Sequence, residues 1–130
     1  MVRTLENLDG RVTFKGQFFH GSVLGDYSGG GFQTFNPVRA VPVRASGGWT
    51  QLTYDINDRW QVNGGFGRDD PYNRDLSLGR SLNQKGYTNA FYKITPRLWT
   101  ALEFSHWRTL WIDVPEGNAF RIEQAFMFFF

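Results

Sequence analysis

Residues 121–130 read RIEQAFMFFF, with Phe126, Phe128 and Phe130 at every second position, and Phe120 and Ile122 extend that row backwards. Successive side chains of a β-strand point to opposite faces. The row is therefore one apolar face, interrupted by Gln124, while Arg121 and Glu123 share the other. A chain terminus in water usually frays, so an apolar row placed there asks for an explanation. It is either the closing strand of a soluble sheet or a strand whose outer side meets lipid.

The same period of two recurs upstream, and no helical period competes with it. At 11–18 (RVTFKGQF), Arg11, Thr13, Lys15 and Gln17 oppose Val12, Phe14, Gly16 and Phe18. At 49–56 (WTQLTYDI), Leu52, Tyr54 and Ile56 oppose Gln51, Thr53 and Asp55. At 60–67 (WQVNGGFG), Trp60, Val62 and Phe66 oppose Gln61 and Asn63. At 89–94 (NAFYKI), Ala90, Tyr92 and Ile94 oppose Asn89, Phe91 and Lys93. At 98–105 (LWTALEFS), Leu98, Leu102 and Phe104 oppose Ala101, Glu103 and Ser105. With the closing stretch, the pattern predicts an all-β chain of about six antiparallel strands in an up-and-down meander.

The connections alternate in length. Long segments rich in Gly and Pro or in polar residues (20–48, 68–84) and a medium one (112–118) stand at one end. The tight turns INDR (56–59) and TPR (95–97) stand at the other. A soluble meander gains nothing from such asymmetry, because both ends meet water. Outer-membrane barrels have short periplasmic turns and longer outer loops. On that parity the last strand descends and Phe130 ends on the periplasmic side. Tyr54, Trp60 and Tyr92 then fall at the height of an interfacial aromatic girdle, with Trp107 and Trp111 toward the opposite rim.

Composition agrees with β structure: aromatic residues make up 18% of the 130 residues and glycine numbers 15. A formal charge of +2, with eleven Arg against three Lys, is too small to argue for nucleic acid. With no cysteine there is no disulfide framework, thiol nucleophile or Cys-bound metal. The opening MVRTLENLDG lacks the apolar core of a secretory signal, so an export signal is expected upstream of it. The whole of 1–130 reads as one barrel segment, with 1–10 a leader or strand edge and 11–130 the strands and loops.

The Phe-ended last strand resembles the C-terminal signature of outer-membrane β-barrels. The phrases GGWTQLTYDINDRWQVNGGFGRDDP, NAFYKITPRLWTALEFS and RIEQAFMFFF are similar to the C-terminal strands of bacterial porins, most nearly the DcaP-like kind. The resemblance spans about 12–130 and is strongest over 47–130. It implies a partial transmembrane β-barrel, the C-terminal segment of a larger porin with Met1 an internal start, because barrels of that kind close with roughly sixteen strands. It further implies bacterial outer-membrane lipid as solvent and a homotrimeric parent. Phe126, Phe128 and Phe130 would be the signal read by the barrel-assembly machinery. The function implied is a passive channel for small hydrophilic solutes. Hydrocarbon cannot satisfy free strand edges, so the isolated chain is not expected to be a competent pore.

On this reading the pore is lined by Lys15, Gln17, Gln51, Gln61, Asn63, Asn89, Lys93, Glu103, Arg121 and Glu123, with Thr53 and Ser105 among them. Glu103 and Arg121 are expected to pair across adjacent strands. Arg39 and Arg44, on the first long loop, are the expected anion contacts. Each of these residues also suits the solvated side of an ordinary sheet. DDPYNRD gathers Asp69, Asp70, Asn73 and Asp75 but lacks calcium-loop spacing, and reads as a polar turn. SGGG (28–31) lacks the rest of a phosphate loop. Ser105 and His106 are consecutive on a strand and point apart, so they cannot form a nucleophile–base pair. No catalytic residue, cofactor or metal is assigned. The competing class is a soluble carbohydrate-binding module stacking sugars on Trp49, Trp60, Trp99, Trp107 and Trp111.

Overall fold

A computed structural model describes residues 2–7, 11–25 and 29–130, with side chains described from residue 11 onward. The sequence-predicted strands are present and longer than their alternating cores: β2 (Val12–Ser22), β5 (Arg44–Asp55), β6 (Trp60–Pro71), β7 (Arg80–Thr95), β8 (Leu98–Trp111) and β9 (Gly117–Phe128). A short strand, β1 (Val2–Asn7), adds a seventh at the N-terminal edge, where a leader or strand edge was expected. A small hairpin of β3 (Phe35–Asn36) and β4 (Val41–Pro42) sits inside the first long loop. The described residues contain no α-helix; short 3-10 turns lie at Gly30–Phe32 and Asn73–Asp75.

The main sheet runs β1-β2-β5-β6-β7-β8-β9, and every neighbouring pair is antiparallel. It is an open sheet, with β1 and β9 at opposite edges. The register pairs even positions with even: Phe14, Leu52, Gly64, Thr88, Phe104 and Ile122 form one rung. Thr13, Thr53, Asn63, Asn89, Glu103 and Glu123 form the rung beside it on the other face. From β2 to β9 the even face is mainly apolar and the odd face mainly polar.

Each tight turn is closed by its own side chains, as short polar turn residues do. Asn57 Oδ1 accepts the Arg59 and Trp60 backbone N–H at 2.9 Å each. Thr95 Oγ1 accepts from Arg97 at 3.3 Å and Leu98 at 3.0 Å. At the other end, the connection expected over 68–84 shortens to residues 72–79. Arg68–Pro71 and Arg80–Gln84 join the ladders instead, with Ala45 opposite Pro71 and Arg68 opposite Gln84. Pro71 is tolerated because the β6–β7 ladder ends at Asp69, so no ladder bond is asked of its missing N–H.

One expectation is corrected by the register. Glu103 faces Glu123, and Arg121 faces Ser105, so Arg121 lies diagonally from Glu103. Arg121 pairs with Glu123 on its own strand, and Glu103 takes Lys85 of β7. Trp107 and Trp111 both lie toward the long-loop end of β8, as expected of that rim. Trp107 stands on the polar face, where its indole N–H donates to Ser105 Oγ at 3.3 Å. Trp111 lies under the Arg80 guanidinium at the outer end of β8.

Burial runs opposite to a soluble domain. The buried apolar residues are Val43, Ala45, Leu76 and Leu82, all at the long-loop end. Mid-sheet, the buried side chains are the polar Thr53, Asn63 and Ser105, while Phe104 is 48%, Phe126 67% and Phe120 87% exposed. The chain exposes 8871 Å², against about 7,000 Å² for a compact monomer of this mass.

Candidate functional site

The polar face carries one continuous hydrogen-bonded band across β5 to β8. Gln51 Nε2 donates to Thr53 Oγ1 at 3.1 Å, and the Thr53 hydroxyl and Gln51 both donate to Asn63 Oδ1. Asn63 Nδ2 donates to Asn89 Oδ1 at 2.8 Å, and Asn89 Nδ2 to Glu103 Oε2 at 3.0 Å. The other carboxylate oxygen of Glu103 accepts from Lys85 Nζ. Tyr87 closes the band by donating to Gln51 Oε1 at 2.7 Å. That reach depends on Gly65: the Tyr87 ring occupies the space a Cβ there would need. Each side chain of the band thus finds a partner, as burial demands.

Of the residues read as pore-lining, Gln51, Asn63, Asn89 and Glu103 are brought together in this band. Gln61 stands one rung toward the tight turns and donates to Asp55 Oδ1 at 2.7 Å. Lys93 lies over the Trp99 ring at 4.7 Å. Lys15 and Gln17 are exposed on β2, opposite Gln51 and Trp49. Arg121 and Glu123 form an exposed pair at 2.8 Å on β9. Lys85 and Tyr87 escaped the sequence reading because Lys85 borders the polar run ending at Gln84. Their odd positions, which share a face with Asn89 and stand opposite Trp107 and Ser105, were the available signal.

The outer end of this face is covered by the first long loop. The turn at Gly30–Phe32 rests against β5, β6 and β7. Gly30 N–H donates to Asp69 Oδ1 at 2.9 Å and Gly31 N–H to Oδ2 at 2.6 Å. Both glycines have φ near +60° (63° and 62°), a region that costs other residues strain. Two successive N–H groups so disposed form an anion-binding nest, and here its anion is a side chain of the same protein. Gln33 Nε2 adds a bond to the Arg80 carbonyl at 2.8 Å.

The two long loops are locked to each other. Arg44 grips buried Asp75 with Nε at 2.7 Å and Nη2 at 2.6 Å, and its backbone N–H adds a third bond at 3.2 Å. The Arg44 guanidinium holds the Asp75 carboxyl at about 2, as a forked charge-assisted pair does. Asn36 Nδ2 donates to the Asp75 carbonyl at 2.7 Å and to Ser77 Oγ at 3.0 Å. Arg39 donates to the Arg74 carbonyl. The two arginines read as anion contacts therefore join loop to loop.

The carboxylates of DDPYNRD do not converge. Asp69 takes the Gly30–Gly31 nest, Asp70 pairs with Arg68, and Asp75 takes Arg44. The five tryptophans do not share a platform either. Trp60 stacks on Tyr92 across the apolar face at 4.7 Å, whereas Trp49, Trp99 and Trp107 stand on odd, polar-face positions of the register. His106 meets Phe120 on the apolar face, ring centroids 4.6 Å apart, and Ser105 is buried on the opposite one. No protein family, no curated protein and no solved structure matches the chain.

Proposed function

We propose that this chain is a section of the wall of a transmembrane β-barrel in a bacterial outer membrane, the C-terminal part of a porin-type channel. Its even face meets acyl chains and its odd face lines an aqueous passage for small hydrophilic solutes. The observation that carries the reading is the inversion of burial: Phe104 is exposed while its neighbour Ser105 is 5% exposed and hydrogen-bonded. Hydrocarbon favours the first and would penalise the second if it faced outward.

Three further features support it. Strands of 11 to 16 residues reach across a bilayer, which asks for about 9–11 when tilted. Trp60 and Tyr92 meet at the tight-turn end of the apolar face, where an interfacial girdle belongs. The first loop folds over the polar face, as a segment narrowing a passage would. Both charge signs line that face, so the reading covers hydrophilic solutes without choosing their charge. Phe126, Phe128 and Phe130 serve assembly, and a homotrimeric parent and the barrel-assembly machinery are the proposed partners. The proposal gives the chain no catalytic role.

The open sheet leaves β1 and β9 without outer partners, so the isolated chain inserts but conducts poorly. Purified chain is expected to require detergent, to partition into phosphatidylcholine vesicles, and to give no uniform conductance steps in planar bilayers. The competing carbohydrate-binding module would stay clear and monomeric without detergent and be retained on immobilised polysaccharide. That outcome would replace the present reading.

A further inference from the structure

The apolar face contains a groove of about 390 Å³ at the long-loop end. Its floor is β5, where Ser46, Gly48 and Thr50 are the only consecutive small residues on that face of the strand; Leu52, Tyr54 and Ile56 follow. Phe18 of β2, 66% exposed, and Phe66 of β6, 47% exposed, form its walls. These walls stand two strand spacings apart, about 10 Å, the width of one extended hydrocarbon chain with its contacts.

Arg68 heads the groove, and its height matters. Going up β6 from the tight turn, the even face shows Trp60, Val62, Gly64 and Phe66 before Arg68 brings the first charge. On β8 the first permanent charge on that face is Arg108, and the register places both arginines on one rung, flanking Gln84. This rung is the upper border of the apolar band, the level at which a lipid leaves its acyl region for its headgroup. Arg68 bonds Asp70 at 2.6 Å in a pair exposed on both sides, and Arg108 bonds Glu116 likewise at 2.8 Å. Exposed pairs of this kind are weak, whereas guanidinium binds phosphate through two charge-assisted bonds at once.

We propose that this groove is a binding site for an anionic phospholipid, with an acyl chain between Phe18 and Phe66 and the phosphate on Arg68. The inference rests on the membrane reading above, and adds a lipid class and a residue that selects it. The test presents the chain in detergent micelles with equal amounts of phosphatidylglycerol and phosphatidylcholine and counts retained lipid by native mass spectrometry. One arginine at a headgroup favours the anionic lipid about fivefold, and that ratio is expected for the wild-type chain. Arg68→Gln should bring it to about one, with Arg68→Lys restoring most of it. Thr50→Trp, which fills the groove, should remove retained lipid of both kinds. Excess inorganic phosphate should leave the bound phosphatidylglycerol in place; its displacement would overturn the site, as would equal retention by the wild type or an unchanged ratio in Arg68→Gln. A chain that enters phosphatidylcholine vesicles without such selectivity keeps the membrane reading and loses the site. A chain that stays out of vesicles of either lipid loses both.

Discussion

Glu103 stands directly opposite Glu123 on β9, yet its carboxylate is bonded to Lys85 and Asn89 on β7. Like charges facing across a ladder destabilise it, and the β7 side removes that conflict. Lys85 does more than neutralise: its ammonium lies over the Tyr87 and Trp107 rings at 4.8 and 5.2 Å. Lys85→Met should therefore destabilise the detergent-folded chain by about 1–3 kcal/mol, the usual range for leaving a half-buried partner short of its bond. Adding Glu103→Gln should recover part of that loss. Denaturant titrations of the two single variants and the double variant measure it, and strict additivity would mean the pair is not coupled.

Gly65 and Tyr87 make a second dependence. Any side chain at 65 occupies the place of the Tyr87 ring, so Gly65→Val should displace it and break its bond to Gln51. The expected cost is about 1–3 kcal/mol, typical of overpacking. Tyr87→Phe removes only the hydroxyl and should cost about 1 kcal/mol. Near-ultraviolet circular dichroism and unfolding midpoints distinguish the two. Equal effects would show that ring position is immaterial.

The Arg44–Asp75 clasp sets a pH window for the loops. Asp75 titrates from an ordinary 3.8 down to about 2 because the Arg44 side chain bonds its ionised form. A depressed carboxylate contributes stability that is complete above its unfolded value and is lost as pH falls through its folded one. The loop-to-loop contact should hold above about pH 4 and release toward pH 2. Carbon-13 NMR of the Asp75 carboxyl is expected to show a midpoint near that lower value, moved back up in Arg44→Gln. A midpoint insensitive to Arg44 would contradict the clasp.

Much of this was legible from alternation alone, because a period of two assigns faces without knowledge of neighbours. Each of the six long strands, and the exposure of Phe120, Phe126 and Phe128 on one apolar face, follows from it. What alternation could not supply was register and reach. Asp69, Asp70 and Pro71 look like turn residues, but ladder bonds to β5 outweigh local composition, and the strand continues through them. The Glu103–Arg121 expectation failed because adjacency of strands does not say which residues stand opposite. Arg44 looked like a free loop cation since nothing in the sequence marks Asp75 as its partner. Lys85 and Tyr87 were missed at a strand start that polar neighbours disguised.

The central claim is that consecutive residues of one strand meet different solvents. The chain has no cysteine, so single cysteines at Ala101, Leu102, Glu103 and Phe104 can be read one at a time in vesicle-embedded protein. Leu102 and Phe104 should be quenched by acyl-chain nitroxides and protected from a water-soluble maleimide, with Ala101 and Glu103 behaving in reverse. Uniform maleimide reactivity along the strand, with no quenching at Phe104, would contradict the account.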